Sequence, residues 1–158
     1  MTADPAATPR EHRATAPASV ACYVVTVSDT KTPETDTSGK VIRELLTAAG
    51  HRVVESAVVR DEPGDVERVV RQACAAAGVQ AVITTGGTGI TSRDSTFEAI
   101  ERLLDKRLPG FGELFRMLSY QDVGPAAMLS RAQMGIHARR IVVDDGGIDS
   151  ERLQLGLV

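Results

Sequence analysis

An apolar segment, Val79 to Ile83, runs directly into Thr84-Thr85-Gly86-Gly87-Thr88-Gly89, with Arg93 and Asp94 close behind and a helical pattern resuming at Thr96. This stretch constrains the chain more than any other. The apolar run reads as a buried strand. Glycines and threonines at its end let a backbone approach a ligand closely and offer N–H and hydroxyl donors, which suits an anion such as phosphate. A glycine-rich turn without any ligand is the plainer alternative. The loop is not a Walker A sequence, because no Gly-Lys-Ser/Thr follows. It is a poor dinucleotide fingerprint too, since Ser92 stands where the third glycine belongs.

The rest of the chain supplies the frame for such a loop. Its 158 residues fit one ordinary domain. Aromatic residues make up only 3%, so the core must be built from Val, Ile, Leu and Ala. A formal charge of −3 without any Lys/Arg block argues against a nucleic-acid binder. Any anionic ligand must then be held by local donors rather than a global positive field. Cys22 and Cys74 lie in apolar segments without metal-ligand spacing and read as buried thiols of a reducing compartment. No run approaches the ~20 apolar residues of a membrane span, and no signal-peptide core precedes the fold. A cytoplasmic protein without membrane partners is expected.

Residues 1–19 read as a disordered tail. Strands are then predicted at Val20 to Val27, Arg52 to Val59, Ala81 to Thr84 and Ile141 to Val143. Between them fall helical patterns: Val41 to Ala49 closed by Gly50, a helix capped by Asp65 and ending at Gly78, and one opened by the capping-box pair Ser95 and Glu98. Past Pro109-Gly110, the residues Phe111, Leu114, Phe115 and Leu118 mark another amphipathic helix, its apolar stripe either a packing surface between copies or internal core. Met128 to Met134 reads as a further helical stretch, and His137 as part of a polar connection. His51 reads as a helix-end or solvated residue. Strand–helix alternation implies an α/β fold with a largely parallel sheet.

Each of the first three strands ends in a polar loop: Ser28-Asp29, Arg60-Asp61-Glu62, and the glycine loop with Arg93-Asp94. A parallel sheet sets all carboxyl ends along one edge, where open α/β folds bind ligands. Asp29, Asp61 and Asp94 should therefore meet beside a loop of phosphate donors. Mg²⁺ fits such a site, being held by one or two carboxylates together with substrate phosphate oxygens. Taken singly, each aspartate is equally a turn or cap residue. Glu113 and Arg116, three apart on one helix, read alone as an exposed ion pair, and Ser130 alone is unremarkable.

Six motifs together resemble the MoaB/MogA family of molybdenum-cofactor biosynthesis proteins: TVSDT at 26–30, Ser38-Gly39 before a helix, RDE at 60–62, TTGGTGITSRDST at 84–96, PGFGELFRMLSY at 109–120 and MLSRA at 128–132. The stretch at 109–120 is closer to the MoaB branch. The resemblance implies a three-layer α/β/α sandwich, with residues 20–158 as a single molybdopterin-binding domain. It implies a trimer or hexamer that uses ATP and Mg²⁺ to adenylylate the terminal phosphate of molybdopterin, with other pathway proteins as possible partners. By motif position, Asp61 and Asp94 fall on the family's catalytic, metal-handling aspartates. Ser28, Asp29, Thr85, Gly86, Gly87, Thr88, Gly89, Glu113, Arg116 and Ser130 fall on pocket positions. The chain departs from the pattern at its short C-terminus, where Val143-Asp144-Asp145-Gly146-Gly147-Ile148 replaces a Leu-Pro-Gly-Ser-Pro-like pocket loop. Two added carboxylates there would repel a phosphate unless a cation intervenes. Alternatives to the enzyme are a non-catalytic molybdopterin-binding or scaffold protein and an unrelated nucleotide-binding module.

Overall fold

A computed structural model of the chain describes residues 16–87 and 96–146. Strand β1, Ala21–Val27, is buried at all seven positions and lies inside the sheet. Its side chains alternate between two cores, Tyr23, Val25 and Val27 on one face, Cys22 and Val24 on the other. Near-continuous apolarity is what a strand covered on both faces requires. Helix α1, Thr37–Ala48, leads to β2, Arg52–Val59, and helix α2, Pro63–Ala75, leads to β3, Ala81–Gly86. Helix α3, Thr96–Leu103, and the two-residue β4, Lys106–Arg107, follow. Helix α4, Gly110–Val123, a 3₁₀ turn, Gly124–Leu129, and the hairpin of β5, Gln133–His137, and β6, Arg140–Asp144, complete the chain.

The six strands run in the order β2-β1-β3-β6-β5-β4. β2, β1, β3 and β6 are mutually parallel; β5 runs antiparallel to β6, and β4 pairs antiparallel with β5 at the edge. Helices cover both faces. Val66, Val69, Val70 and Ala73 of α2 join Ala99, Ile100 and Leu103 of α3 over one face. Ile42 and Leu46 of α1 with Phe111 of α4 cover the other. This is the expected mostly parallel three-layer sandwich. The chain steps from β1 outward to β2, then returns to place β3 on the opposite side of β1. The connections leaving β1 and β3 thus diverge, and a crevice opens between the two strand ends.

Several local expectations need correction. α2 starts at Pro63, not at an Asp65 cap: proline has its φ preset and lacks an N–H, which suits a first helical turn. Asp65 lies in that turn and pairs with Arg68 at 3.0 Å. The helix also stops at Ala75, three residues before Gly78. The predicted helical stretch Met128 to Met134 is instead the end of the 3₁₀ turn and the start of β5, whose Gln133 and Met134 pair with Asp144 and Val143. His137 closes β5 rather than lying in a connection, and His51 accepts the Val20 N–H through Nδ1 at 3.3 Å. On α4 the buried residues are Gly112, Phe115 and Ser119, so its apolar stripe is divided between core and surface. Leu114, Met117 and Tyr120 face outward, as do Met128 and Leu129 of the 3₁₀ turn. A groove of about 500 Å³ lies between these segments, lined by Arg116, Met117, Tyr120, Pro125, Ala127 and Met128.

Candidate functional site

The carboxyl ends of β1, β2 and β3 meet in a small hydrogen-bonded cluster. Ser28 donates its N–H to the carbonyl of Val59 at 2.8 Å, which fixes the exit of β1 against that of β2. The side-chain oxygens then cross the gap. Asp29 Oδ1 accepts the N–H of Asp61 at 3.1 Å, and Asp61 Oδ1 accepts the hydroxyl of Thr96 at 2.7 Å. Asp29 is exposed, and Ser28 and Asp61 are half-buried, so all three remain open to a ligand.

β3 brings the glycines to the same place. Val27 and Gly86 are register partners. A Cβ at Gly86, whose φ is +91, would sit 2.2 Å from the Val27 carbonyl oxygen. A Cβ at Gly87, with φ +62, would sit 2.3 Å from Thr96 Oγ1. Glycine is required at both positions, by close approach and by a backbone that side chains rarely adopt. Thr85, two residues earlier, is buried and pairs with Thr26 of β1. Thr88, Gly89 and Asp94 lie outside the described residues, as does Ser95 with its expected cap.

A second group flanks the first. Arg116 of α4 donates to the Ser130 carbonyl at 3.4 Å, and the buried Ser130 hydroxyl accepts the Ala132 N–H at 3.3 Å. Glu113, one turn before Arg116, is exposed. The chain after Ser130 is tied to the first cluster through Arg131. Its guanidinium lies 4.4 Å from the centre of the Phe97 ring and pairs with Glu98 in the first turn of α3. The Arg131 hydrogen bond holds the Glu98 carboxyl below its ordinary range. Gln133 adds a bond from its side-chain amide to the Phe97 carbonyl at 2.8 Å. Arg116 and Ser130 are thus joined to each other, Glu113 is exposed one turn away, and none of the three makes a described bond to Asp29 or Asp61.

The departure at the end of β6 has a definite place. Asp144 is the last residue of β6, beside Thr84 of β3, not part of an open loop. Thr84 donates its hydroxyl to Asp144 Oδ1 at 3.0 Å, and Gln133 donates to Oδ2 at 3.3 Å. Asp145 is fully buried and donates its N–H to the Thr84 carbonyl at 3.1 Å. Burial first, then the neighbouring Asp145, push the Asp144 carboxyl up from 3.8 to about 7. The added carboxylates are therefore packed between β3, β5 and β6.

Among the described residues, no three His, Cys, Asp or Glu side chains form a metal cage. Mg²⁺ does not demand one, since substrate phosphate and water complete its shell. Hard carboxylate oxygens from Asp29 and Asp61, linked by a single hydrogen bond, fit that donor set. Sequence reading found these aspartates through the strand ends but missed Thr96, whose partner is 35 residues away.

Comparison with known proteins agrees with this geometry. Residues 23–146 match the family model described as a probable molybdopterin binding domain. Molybdenum cofactor biosynthesis protein B of Halalkalibacterium halodurans is 50% identical over 127 residues, covering 80% of this chain and 75% of that protein. A crystal structure of a molybdenum cofactor biosynthesis protein B superposes with a TM-score of 0.83 at 46% identity, covering 90% of each chain. The tungsten cofactor synthesizing protein MoaB from Pyrococcus furiosus superposes at 0.73 with 38% identity, covering 90% of this chain and 91% of that one. With its strand-end site, its sandwich and these relatives, the chain belongs to the MoaB/MogA family of molybdenum cofactor biosynthesis proteins.

Proposed function

We propose that the protein binds molybdopterin and adenylylates its terminal phosphate, using ATP and Mg²⁺. The observation that carries this reading is the meeting of Asp29, Asp61 and the Gly86-Gly87 turn at one sheet edge, cross-linked by hydrogen bonds between loops. In such a transfer a molybdopterin phosphate oxygen attacks the α-phosphorus of ATP, and the bond to pyrophosphate breaks. Protein groups contribute chiefly by alignment and by preorganised charge. Asp61, with Asp94 at its motif position, would hold Mg²⁺, which supplies charge neutralisation between the phosphates when bound. Backbone N–H groups of the glycine loop would steady a phosphate, with Ser28 and Thr85 nearby and Thr88 at its motif position. Arg116, Ser130 and Glu113 would serve the other end of the pocket.

The reading includes a homo-oligomer, a trimer or hexamer, working in the cytoplasm beside other proteins of the pathway. The outward apolar side chains of α4 and the 3₁₀ turn support the first part, because a contiguous apolar face marks an interaction surface. Two buried free thiols support a reducing compartment. A monomer by light scattering would contradict the assembly.

A second reading, a non-catalytic molybdopterin-binding protein, is favoured by one observation: the buried Asp144-Asp145 pair where the family has a pocket loop. Pyrophosphate release measured with ATP, Mg²⁺ and molybdopterin separates the two. Turnover that falls on the order of 100-fold in Asp61→Asn, with pterin affinity within severalfold, supports the enzyme. Binding without turnover selects the second reading, and neither leaves a nucleotide-binding module.

A further inference from the structure

Thr96 opens α3 and is 1% exposed, yet its hydroxyl spans two loops to reach Asp61. Its own position is heavily determined. The next two residues are clamped from the β5 side: Arg131 lies over the Phe97 ring and pairs with Glu98, while Gln133 bonds the Phe97 carbonyl. Gly87 leaves room for the hydroxyl, because a Cβ there would reach within 2.3 Å of Oγ1. A donor held this firmly fixes its acceptor as well. Asp61 has its N–H on Asp29 and its Oδ1 on Thr96, which restricts both its backbone and its side chain.

We infer that Thr96 is a positioning residue for Asp61, holding its carboxylate in one pre-set rotamer where it would serve Mg²⁺. The catalytic part of this claim rests on the adenylyl-transfer reading; the positioning part does not. Supporting shells of this kind commonly decide whether a reacting group lies within the geometry that chemistry tolerates. Misplacement by about 1 Å is enough to lower rates about 100-fold.

The test compares wild type, Thr96→Val and Thr96→Ser. Valine keeps the shape and removes the donor; serine keeps the donor. Three-bond carbon couplings across χ1 of Asp61 report its rotamer in ¹³C-labelled protein, and the amide spectrum reports that each variant is folded. One rotamer in wild type and Thr96→Ser, with averaging in Thr96→Val, is the expected result. Equal couplings in wild type and Thr96→Val overturn the inference. In pyrophosphate release, Thr96→Val should lose on the order of 10-fold or more in kcat, with molybdopterin KM within about threefold, and Thr96→Ser should recover most of it. Averaged couplings with unchanged kcat also overturn it. An inactive wild type removes adenylyl transfer as the function and leaves the couplings to decide whether Thr96 positions Asp61.

Discussion

Replacing Asp144 by Asn should make the protein more stable at neutral pH and barely change it in acid. The cause is a carboxyl group 2% exposed at the end of β6, its pKa pushed up from 3.8 to about 7 by burial and, second, by Asp145. In the unfolded chain this group loses its proton near pH 4; in the folded protein it keeps it to about pH 7. Over that window the native state binds the extra proton, so stability present in acid is lost as pH rises, levelling off above about 7. The displacement corresponds to about 4 kcal/mol between the two plateaus, or roughly 1.4 kcal/mol per pH unit between them. A carboxamide has no proton to lose, and it can be accommodated. With its nitrogen toward Thr84, the threonine hydroxyl turns to donate to the Val143 carbonyl, already 3.3 Å away, while the amide oxygen accepts from Gln133. Urea unfolding at a series of pH values measures the effect as the difference between variant and wild type. That difference should grow by about 4 kcal/mol from pH 4 to pH 8. A difference constant within ~1 kcal/mol over the range refutes the reasoning.

Three further outcomes are expected. Gly86→Ala places a Cβ 2.2 Å from the Val27 carbonyl oxygen at a φ of +91; it should cost about 3 kcal/mol by urea unfolding, and a loss under ~1 would show that the strand ends separate easily. In the β5–β6 turn, Ala138 and Arg139 hold φ of 48° and 65°, the conformation that Asn-Gly adopts readily in two-residue hairpins. Ala138→Asn with Arg139→Gly should therefore raise stability by about 1 kcal/mol, and an unchanged or lower midpoint would count against a strained turn. Asp36 caps α1 by accepting the Gly39 N–H and also accepts the Thr26 hydroxyl, both at 2.9 Å. Asp36→Ala should lower stability by about 2 kcal/mol, seen in a thermal melt; a shift within error would mean water replaces both bonds.

How much could be read from the chain follows from how local each signal is. β1 and β2 were legible because short valine-rich runs, each followed by a polar loop, allow little else. β4 was missed, because two charged residues carry no periodicity and become a strand only by pairing with Ile136 and Gly135. The same holds at β5: Met128, Leu129, Ala132 and Met134 mimic helical spacing, and the ladder to β6 decides otherwise. On α4 the apolar stripe was visible, but spacing cannot tell a stripe packed inward from one facing out, and Leu114 faces out. The strand-end aspartates were legible through topology, since parallel strands align their ends. Thr96 and the burial of Asp144 were not, because both depend on partners brought close only by the finished sheet.

The borders of the sheet bear on how copies of the protein can meet. At one border β4 is two residues long and shows solvent only Lys106 and Arg107. At the other, β2 exposes Arg52, Glu55 and Ser56 along its length. A two-residue strand at one rim and exposed charged residues at the other are poor templates for adding a foreign strand. Growth of the sheet from one molecule into the next is discouraged at both ends, which protects the chain against open-ended strand stacking. Any association is thereby steered away from strand pairing and toward helical surfaces.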